Sequence, residues 1–353
     1  MKTGVAIVGG GLAGLALARH LHRAGVAFEL FEARERFGGR IAALDAQGGR
    51  VDLGPSWFWP GQPRIAALAE ACGLEVFEQY ATGALVFEDE RGTVHRGMGY
   101  ASMEGSLRVA GGMVRLVEAL VADLPARSLH LSAPVRRVGA EGSVTLADGT
   151  RCTAETVVFA LPPRVARGLA FDPALAPGQL DALAAIPTWM AGHAKFVAVY
   201  DRPFWREEGL SGDAMSRRGP LMEIHDASGP EGTPAALFGF LGLPARVRAG
   251  HAAEVEQAAL AQLGRIFGPQ ALAPVATRLQ DWAQEPETAS ELDLDPPRTH
   301  PEYGLPEALR GLHEGRIRFA VTELAPEMGG YMEGALAAAD HLAGELLAQS
   351  AAR

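Results

Sequence analysis

Val5-Ala6-Ile7-Val8 is an unbroken apolar run, the pattern of a strand buried on both faces. The pattern then changes. Leu12 through Arg23 is apolar on most faces and is followed by Gly25, which predicts a helix over 12–23 with a glycine stop. Residues 26–31 return to strand character, completing a βαβ unit. Farther along, Met113, Leu116, Val117 and Leu120 make one apolar stripe of a helix, and helices are also predicted over 64–71 and 251–266. Residues 134–138 and 156–160 read as strands, the second broken by Pro162-Pro163, with Asp148-Gly149-Thr150 between them as a hairpin signal. From 192 to 200 the pattern alternates, placing His193, Lys195, Val197 and Val199 on one strand face. An ammonium among valines needs a partner or a route to solvent.

Between the first strand and helix stands Gly9-Gly10-Gly11-Leu12-Ala13-Gly14, a GxGxxG turn. Gly9 suits the tight turn, Gly11 lets backbone approach a pyrophosphate, and Gly14 lets helix and strand pack closely. The N–H groups of the first helical turn, around Leu12 and Ala13, are then available to an anion. Glu32 follows at the end of the second strand, 18 residues beyond Gly14, where a carboxylate can accept from both hydroxyls of a ribose. A dinucleotide is therefore expected, with NAD and FAD both open on this unit alone.

The continuation from Phe31 through Glu32, Ala33 and Arg34 to Gly38-Gly39-Arg40 resembles the corresponding segment of the flavin-containing amine oxidase family, which includes monoamine and polyamine oxidases. The resemblance implies FAD. Arg40 would neutralise the pyrophosphate and Arg34 would lie on the adenosine side. Gly54, Pro55 and Ser56 in the 51–57 segment match a flavin-facing loop, and Val135 matches the strand whose backbone holds adenine. Lys195 matches the lysine that holds a water at flavin N5. Thr322 and Glu323 match a pair near the ribityl and pyrophosphate groups, and Met332 opens a helix facing the flavin. Tyr331 would be one wall of an aromatic cage, with Tyr303 and Trp282 as candidates for the other. The family usually has Gly before the Thr-Glu pair, where backbone lies close to phosphate; here it is Val321, whose branched side chain is expected to crowd the cofactor or shift the loop and so weaken FAD binding. No Cys lies near Tyr303, where flavinylated members carry one, so FAD is expected to be noncovalent.

The fold implied is α/β, with a discontinuous Rossmann-like FAD domain over 1–75, 111–163 and 314–353. A smaller α+β substrate domain of mixed sheet and helices takes 76–110 and 164–313. The activity implied is oxidation of an amine by hydride transfer to flavin N5, imine hydrolysis, and reoxidation by dioxygen to hydrogen peroxide. Relatives acting on reduced nicotinamides, porphyrinogens or polyenes leave a non-amine substrate as the alternative, and a weakly active flavin-binding subunit is a second.

Composition narrows the partners. The 353 residues carry 32 Lys+Arg against 42 Asp+Glu, a net charge of −10, which opposes binding to phosphate backbones. Hydrophobic residues at 48% and charged residues at 21% suit a globular chain, and the five glycines among the first 14 residues argue against a signal peptide or membrane span. Cys72 and Cys152 form neither a disulfide framework nor a metal motif, and a cytoplasmic setting is expected. The expected partner is a small amine, without metal or nucleic acid, and a homodimer is left open.

Overall fold

The computed structural model describes residues 1–351. Its first sheet centres on three parallel strands distant in sequence: Lys2–Val8, Arg151–Phe159 and Ile317–Phe319. Lys2–Val8 runs along one edge of Arg151–Phe159. On the other edge, Ser143–Leu146 pairs with its first half antiparallel and Ile317–Phe319 with its second half in parallel. Phe28–Phe31 and Leu129–His130 extend the parallel side. Val135–Gly139 and Ala170–Asp172 extend the other.

Both faces of this sheet are covered, as the opening apolar run predicts. Val5 and Ile7 point into a cluster with Leu15, Leu17 and Leu21 of the Leu12–Arg23 helix, Leu116 and Leu120 of Val114–Ala122, and Leu342 of Met332–Ala351. Ala6 and Val8 point into a second cluster with Val138, Val157 and Phe159. Leu183, Leu309 and Leu312 belong to that second cluster. The first layer thus reaches past the boundaries expected at 163 and 314. The signal was weak because Ala170–Asp172 has three residues and pairs with a strand far back in the chain.

The second sheet has the strand order Ala276–Asp281, Ala194–Tyr200, Ala235–Leu241, Leu221–Asp226, Leu210–Ser216, Ala84–Glu88, Val94–Arg96. The expected alternation in its Ala194–Tyr200 strand is only half the account. Lys195, Val197 and Val199 share a face, but all seven residues are buried, because Phe196, Ala198 and Tyr200 pack in the cluster that includes Val255 and Leu263 of the Ala252–Phe267 helix. His193 precedes the strand. The other face meets Ala42, Val51, Leu53 and Trp282, so the loop leaving the glycine-rich layer is pressed against the second sheet at Lys195.

One side chain ties two helices together. Glu333, 1% exposed, accepts from the backbone N–H groups of Arg64 and Ile65 at 3.0 and 3.1 Å, in the first turn of Pro63–Ala71. That helix has no side-chain cap at its own N-cap residue, so Glu333 satisfies donors the helix cannot. Glu333→Ala is expected to cost about 1–3 kcal/mol by leaving them unpaired, measurable as a lower urea midpoint with unchanged slope.

Candidate functional site

The glycine turn divides its residues by what needs them. A Cβ on Gly14 would stand 2.1 Å from the Gly9 carbonyl oxygen, and one on Gly9, whose φ is +112°, 2.5 Å from that of Ala160. The chain's own packing requires both. A Cβ on Gly11 would meet nothing nearer than Gly39 Cα at 4.0 Å, which leaves room for a ligand. Leu12 and Ala13 are buried in the first helical turn, which has no side-chain cap and no acidic residue. Buried Glu32 accepts from Gly10 N–H and Arg34 N–H, both at 2.8 Å. An open approach at Gly11, uncapped helix donors and a fixed carboxylate fit the pyrophosphate and ribose of a dinucleotide.

The second glycine pair is bonded to the first, Gly38 N–H donating to the Gly10 carbonyl at 2.8 Å. Arg36 braces this loop by donating to the carbonyls of Phe37, Gly39 and Ile41 at 3.0–3.3 Å. Arg34 turns away from the glycines: its guanidinium donates to Glu285 at 3.1 Å and Thr288 at 3.0 Å, with Ala33 half-buried between it and Glu32. Arg40 meets Glu323 through two bonds of 2.6 and 3.2 Å, and Glu323 is fully buried. The Thr322 hydroxyl donates to the Tyr331 carbonyl at 2.7 Å, holding the turn before the helix that starts at Met332. Val135 is buried at the start of its strand.

Lys195 lies where the two sheets meet. The residue is 2% exposed, and its ammonium donates to Ser56 Oγ at 2.6 Å and the Gly54 carbonyl at 3.2 Å and stands 3.7 Å from the centre of the Phe238 ring. Pro55 lies half-buried between those two partners. Gly54 is confined by the Arg40 carbonyl oxygen, which a Cβ would approach to 1.9 Å. Burial lowers Lys195 from 10.5 to about 7; Asp52 opposes the shift and Arg108 adds to it. Asp52 and Arg108 are themselves buried, and burial raises the former and lowers the latter. Asp52 Oδ1 accepts from Met113 N–H at 2.8 Å, while its Oδ2 and Arg108 Nε have no partner.

Two of the three aromatic candidates, Tyr331 and Tyr303, meet at one imidazole, and Trp282 lies apart from them beside Gly54. Tyr331, 41% exposed, stacks on His300 with ring centres 4.9 Å apart and planes 11° apart. Tyr303 meets the edge of the same imidazole at 5.6 Å and donates its hydroxyl to the Pro187 carbonyl at 2.8 Å. Trp282 is buried beside Gly54 and donates to the Leu53 carbonyl at 3.2 Å. The ring stacked on Tyr331 is therefore His300, with Trp189 on its edge at 4.9 Å.

The family profile described as "Flavin containing amine oxidoreductase" matches residues 12–101 and 96–347. The chain belongs to this family. It is 25% identical to the probable flavin-containing monoamine oxidase A of Dictyostelium discoideum, covering 94% of each chain. It is 24% identical to the putrescine oxidase of Kocuria rosea, covering 97% of this chain and 95% of that one. In structure it is similar to a putrescine oxidase, and to cyclohexylamine oxidase from Brevibacterium oxydans. Each comparison has a TM-score of 0.82 and 22% identity; both cover 99% of this chain, with 99% of the first and 100% of the second covered.

In this flavin-containing amine oxidoreductase, Val321 stands directly before the Thr322–Leu324 turn. Val321 has an extended φ of −142°, is 3% exposed, and packs its side chain into the second cluster of the first sheet. Several site residues escaped the sequence reading. Trp57 stood inside the flavin-facing segment, and Phe238 signals itself only through its pairing opposite Val197. Arg36, Asp52, Arg108 and His300 had no local pattern that singles them out. Among the described residues no helix is long and apolar enough to cross a membrane.

Proposed function

We propose that the enzyme oxidises a small amine with noncovalent FAD, releasing an imine to hydrolysis and passing electrons to dioxygen. The observation that carries this reading is Lys195: a buried amine from the second sheet, held at the flavin-facing loop of the first and poised near neutral pH. FAD, when bound, supplies the two-electron redox chemistry.

The chain's residues do the rest. Glu32 accepts the ribose hydroxyls, and Gly11 with the N–H groups of Leu12 and Ala13 receives the pyrophosphate. Arg40 offsets its charge while remaining anchored by Glu323. Cys152 is buried in the core and Cys72 packs beside the opposite cluster, which supports noncovalent attachment. Lys195 Nζ, neutral above about pH 7, accepts a proton or a hydrogen bond from water. Ser56 and the Gly54 carbonyl fix its position, and the layers on both faces of its strand exclude bulk solvent. Tyr331 and Trp57 offer ring faces to an amine.

The test is the visible spectrum of the purified protein, reconstituted with FAD and mixed anaerobically with primary, secondary and polyamines. Bleaching of the flavin bands by an amine, and peroxide on admitting air, is the expected result. Bands that persist with every amine would overturn the reading in favour of a non-amine substrate.

A further inference from the structure

Three charged side chains are buried where the two sheets meet: Asp52, Arg108 and Lys195, none more than 4% exposed. They share one apolar cluster. Val51 and Leu53, which flank Asp52, pack with Val197 and Phe238 beside Lys195 and with Ala227, whose carbonyl accepts from Arg108 at 3.0 Å. Asp52 also lies two residues before Gly54, whose carbonyl holds Lys195.

Among the described residues none of the three is in a direct ion pair. Lys195 Nζ donates to the Ser56 hydroxyl and the Gly54 carbonyl, Arg108 donates to the Ala227 and Ser228 carbonyls, and Asp52 Oδ1 accepts from Met113 N–H. Asp52 Oδ2 and Arg108 Nε are left without partners among those residues. One anion therefore faces two cations across an apolar interior. The other ionisable groups around the strand are committed elsewhere. Asp281, beside Ala194, meets Arg248 at 2.7 and 2.8 Å, and Asp226 meets Arg206 at 2.7 and 2.9 Å. Asp213 and Glu223 share His225 at 2.8 and 3.1 Å, and burial disfavours a charge on His193.

One carboxylate can compensate one of the two cations. A guanidinium keeps its charge in a protein interior, whereas an ammonium can give up its proton. Of the 32 Lys and Arg residues only Lys2 and Lys195 are lysines, so Lys195 is the one member of the trio able to discharge. Burial raises Asp52, and of the two cations Arg108 opposes this more strongly than Lys195 does. A neutral amine also suits the bonds at Nζ: its two N–H groups go to Ser56 and Gly54, and one lone pair remains.

We propose that Asp52 and Arg108 are positioning residues for Lys195: Arg108 claims the one carboxylate at the junction, and Lys195, the cation left over, stands as a neutral amine with its lone pair free. The use of that lone pair rests on the amine-oxidising reading above; the charge balance does not.

Protein labelled with ¹³C and ¹⁵N in lysine tests this without turnover, because only Lys2 and Lys195 give side-chain signals and Lys2 serves as the reference. In the parent, Lys195 is expected to titrate near pH 7. Arg108→Gln, which frees Asp52 for Lys195, is expected to raise that midpoint by about one pH unit. Asp52→Asn, which keeps an acceptor for Met113 N–H, is expected to lower it by about as much, and the double variant to return it towards the parent. The pH limb of anaerobic flavin reduction by an amine should move in the same directions, whereas damage to the structure alone would lower the rate without opposite shifts. Midpoints that stay in place, or move the same way in both single variants, would overturn the proposal. If Arg108→Gln does not fold, the double variant, which strands no charge, is compared with Asp52→Asn: a higher midpoint in the double variant upholds the proposal and an equal one overturns it. Opposite shifts in a protein whose flavin no amine reduces would leave the charge balance standing and overturn the amine-oxidising reading.

Discussion

Replacing Lys195 with methionine is expected to slow amine-dependent flavin reduction by about 10²- to 10⁴-fold, the range for removing a positioned proton acceptor. Methionine preserves most of the volume but leaves the Ser56 hydroxyl and the Gly54 carbonyl without their donor, a cost of about 1–3 kcal/mol. The pH dependence has a definite sign. Between about pH 7 and 10.5 the unfolded chain holds a proton on Lys195 that the folded chain has released. Stability therefore rises with pH across that window, and the methionine variant should lose this part of the rise. Flavin reduction in the parent should likewise increase through about pH 7 as Nζ becomes neutral, and that limb should be missing from the variant. Stopped-flow reduction and urea titrations over the same pH series check both; an unchanged reduction rate would remove Lys195 from the chemistry.

Arg40→Met should act on the scaffold first. Glu323 is fully buried and Arg40 is its bidentate partner. Removing the guanidinium strands a carboxylate in the interior, and breaking such a pair typically costs about 3–5 kcal/mol. Arg40→Met combined with Glu323→Gln should recover much of that loss, because the stranded charge is gone. It should not recover flavin binding if, as proposed, Arg40 is the positive charge that faces the pyrophosphate, because that charge is still missing. Flavin retained after desalting and the denaturation midpoint, measured on the single and double variants, separate the two roles. Recovery of flavin binding in the double variant would show that Arg40 serves Glu323 alone.

The first layer was legible in the sequence because its signals are local. The strand, glycine turn and helix follow one another within 23 residues, and the helix occupies Leu12–Arg23 as its periodicity predicts. The stripe of Met113, Leu116, Val117 and Leu120, all buried, was equally plain, whereas the start of the last helix at Met332 came from the resemblance. The second sheet gave up far less. Glu223 and His225 become neighbours of the Lys195 face only through register across Ala235–Leu241, information that no single stretch contains. Arg34 shows the same limit: its position was visible, but Glu285 and Thr288, 251 and 254 residues away, are what it meets. The aromatic residues near Tyr331 lie in a proline-rich segment without a period, so Tyr303 could be singled out there while His300, which stacks on Tyr331, was passed over.

The sheet that opens the chain also closes it, and this reverses the usual order of events on the ribosome, where N-terminal domains generally fold first. Arg151–Phe159 emerges long after Lys2–Val8, and Ile317–Phe319 later still. Leu15 and Leu17 of the Leu12–Arg23 helix share their cluster with Leu336, Leu342 and Leu346 of Met332–Ala351. Most strands of the second sheet, from Ala194–Tyr200 to Ala276–Asp281, are synthesised in one contiguous stretch before that helix exists. The nascent protein can therefore complete its second layer while its first still exposes apolar surface, so the glycine-rich cradle, synthesised before that layer, is finished after it.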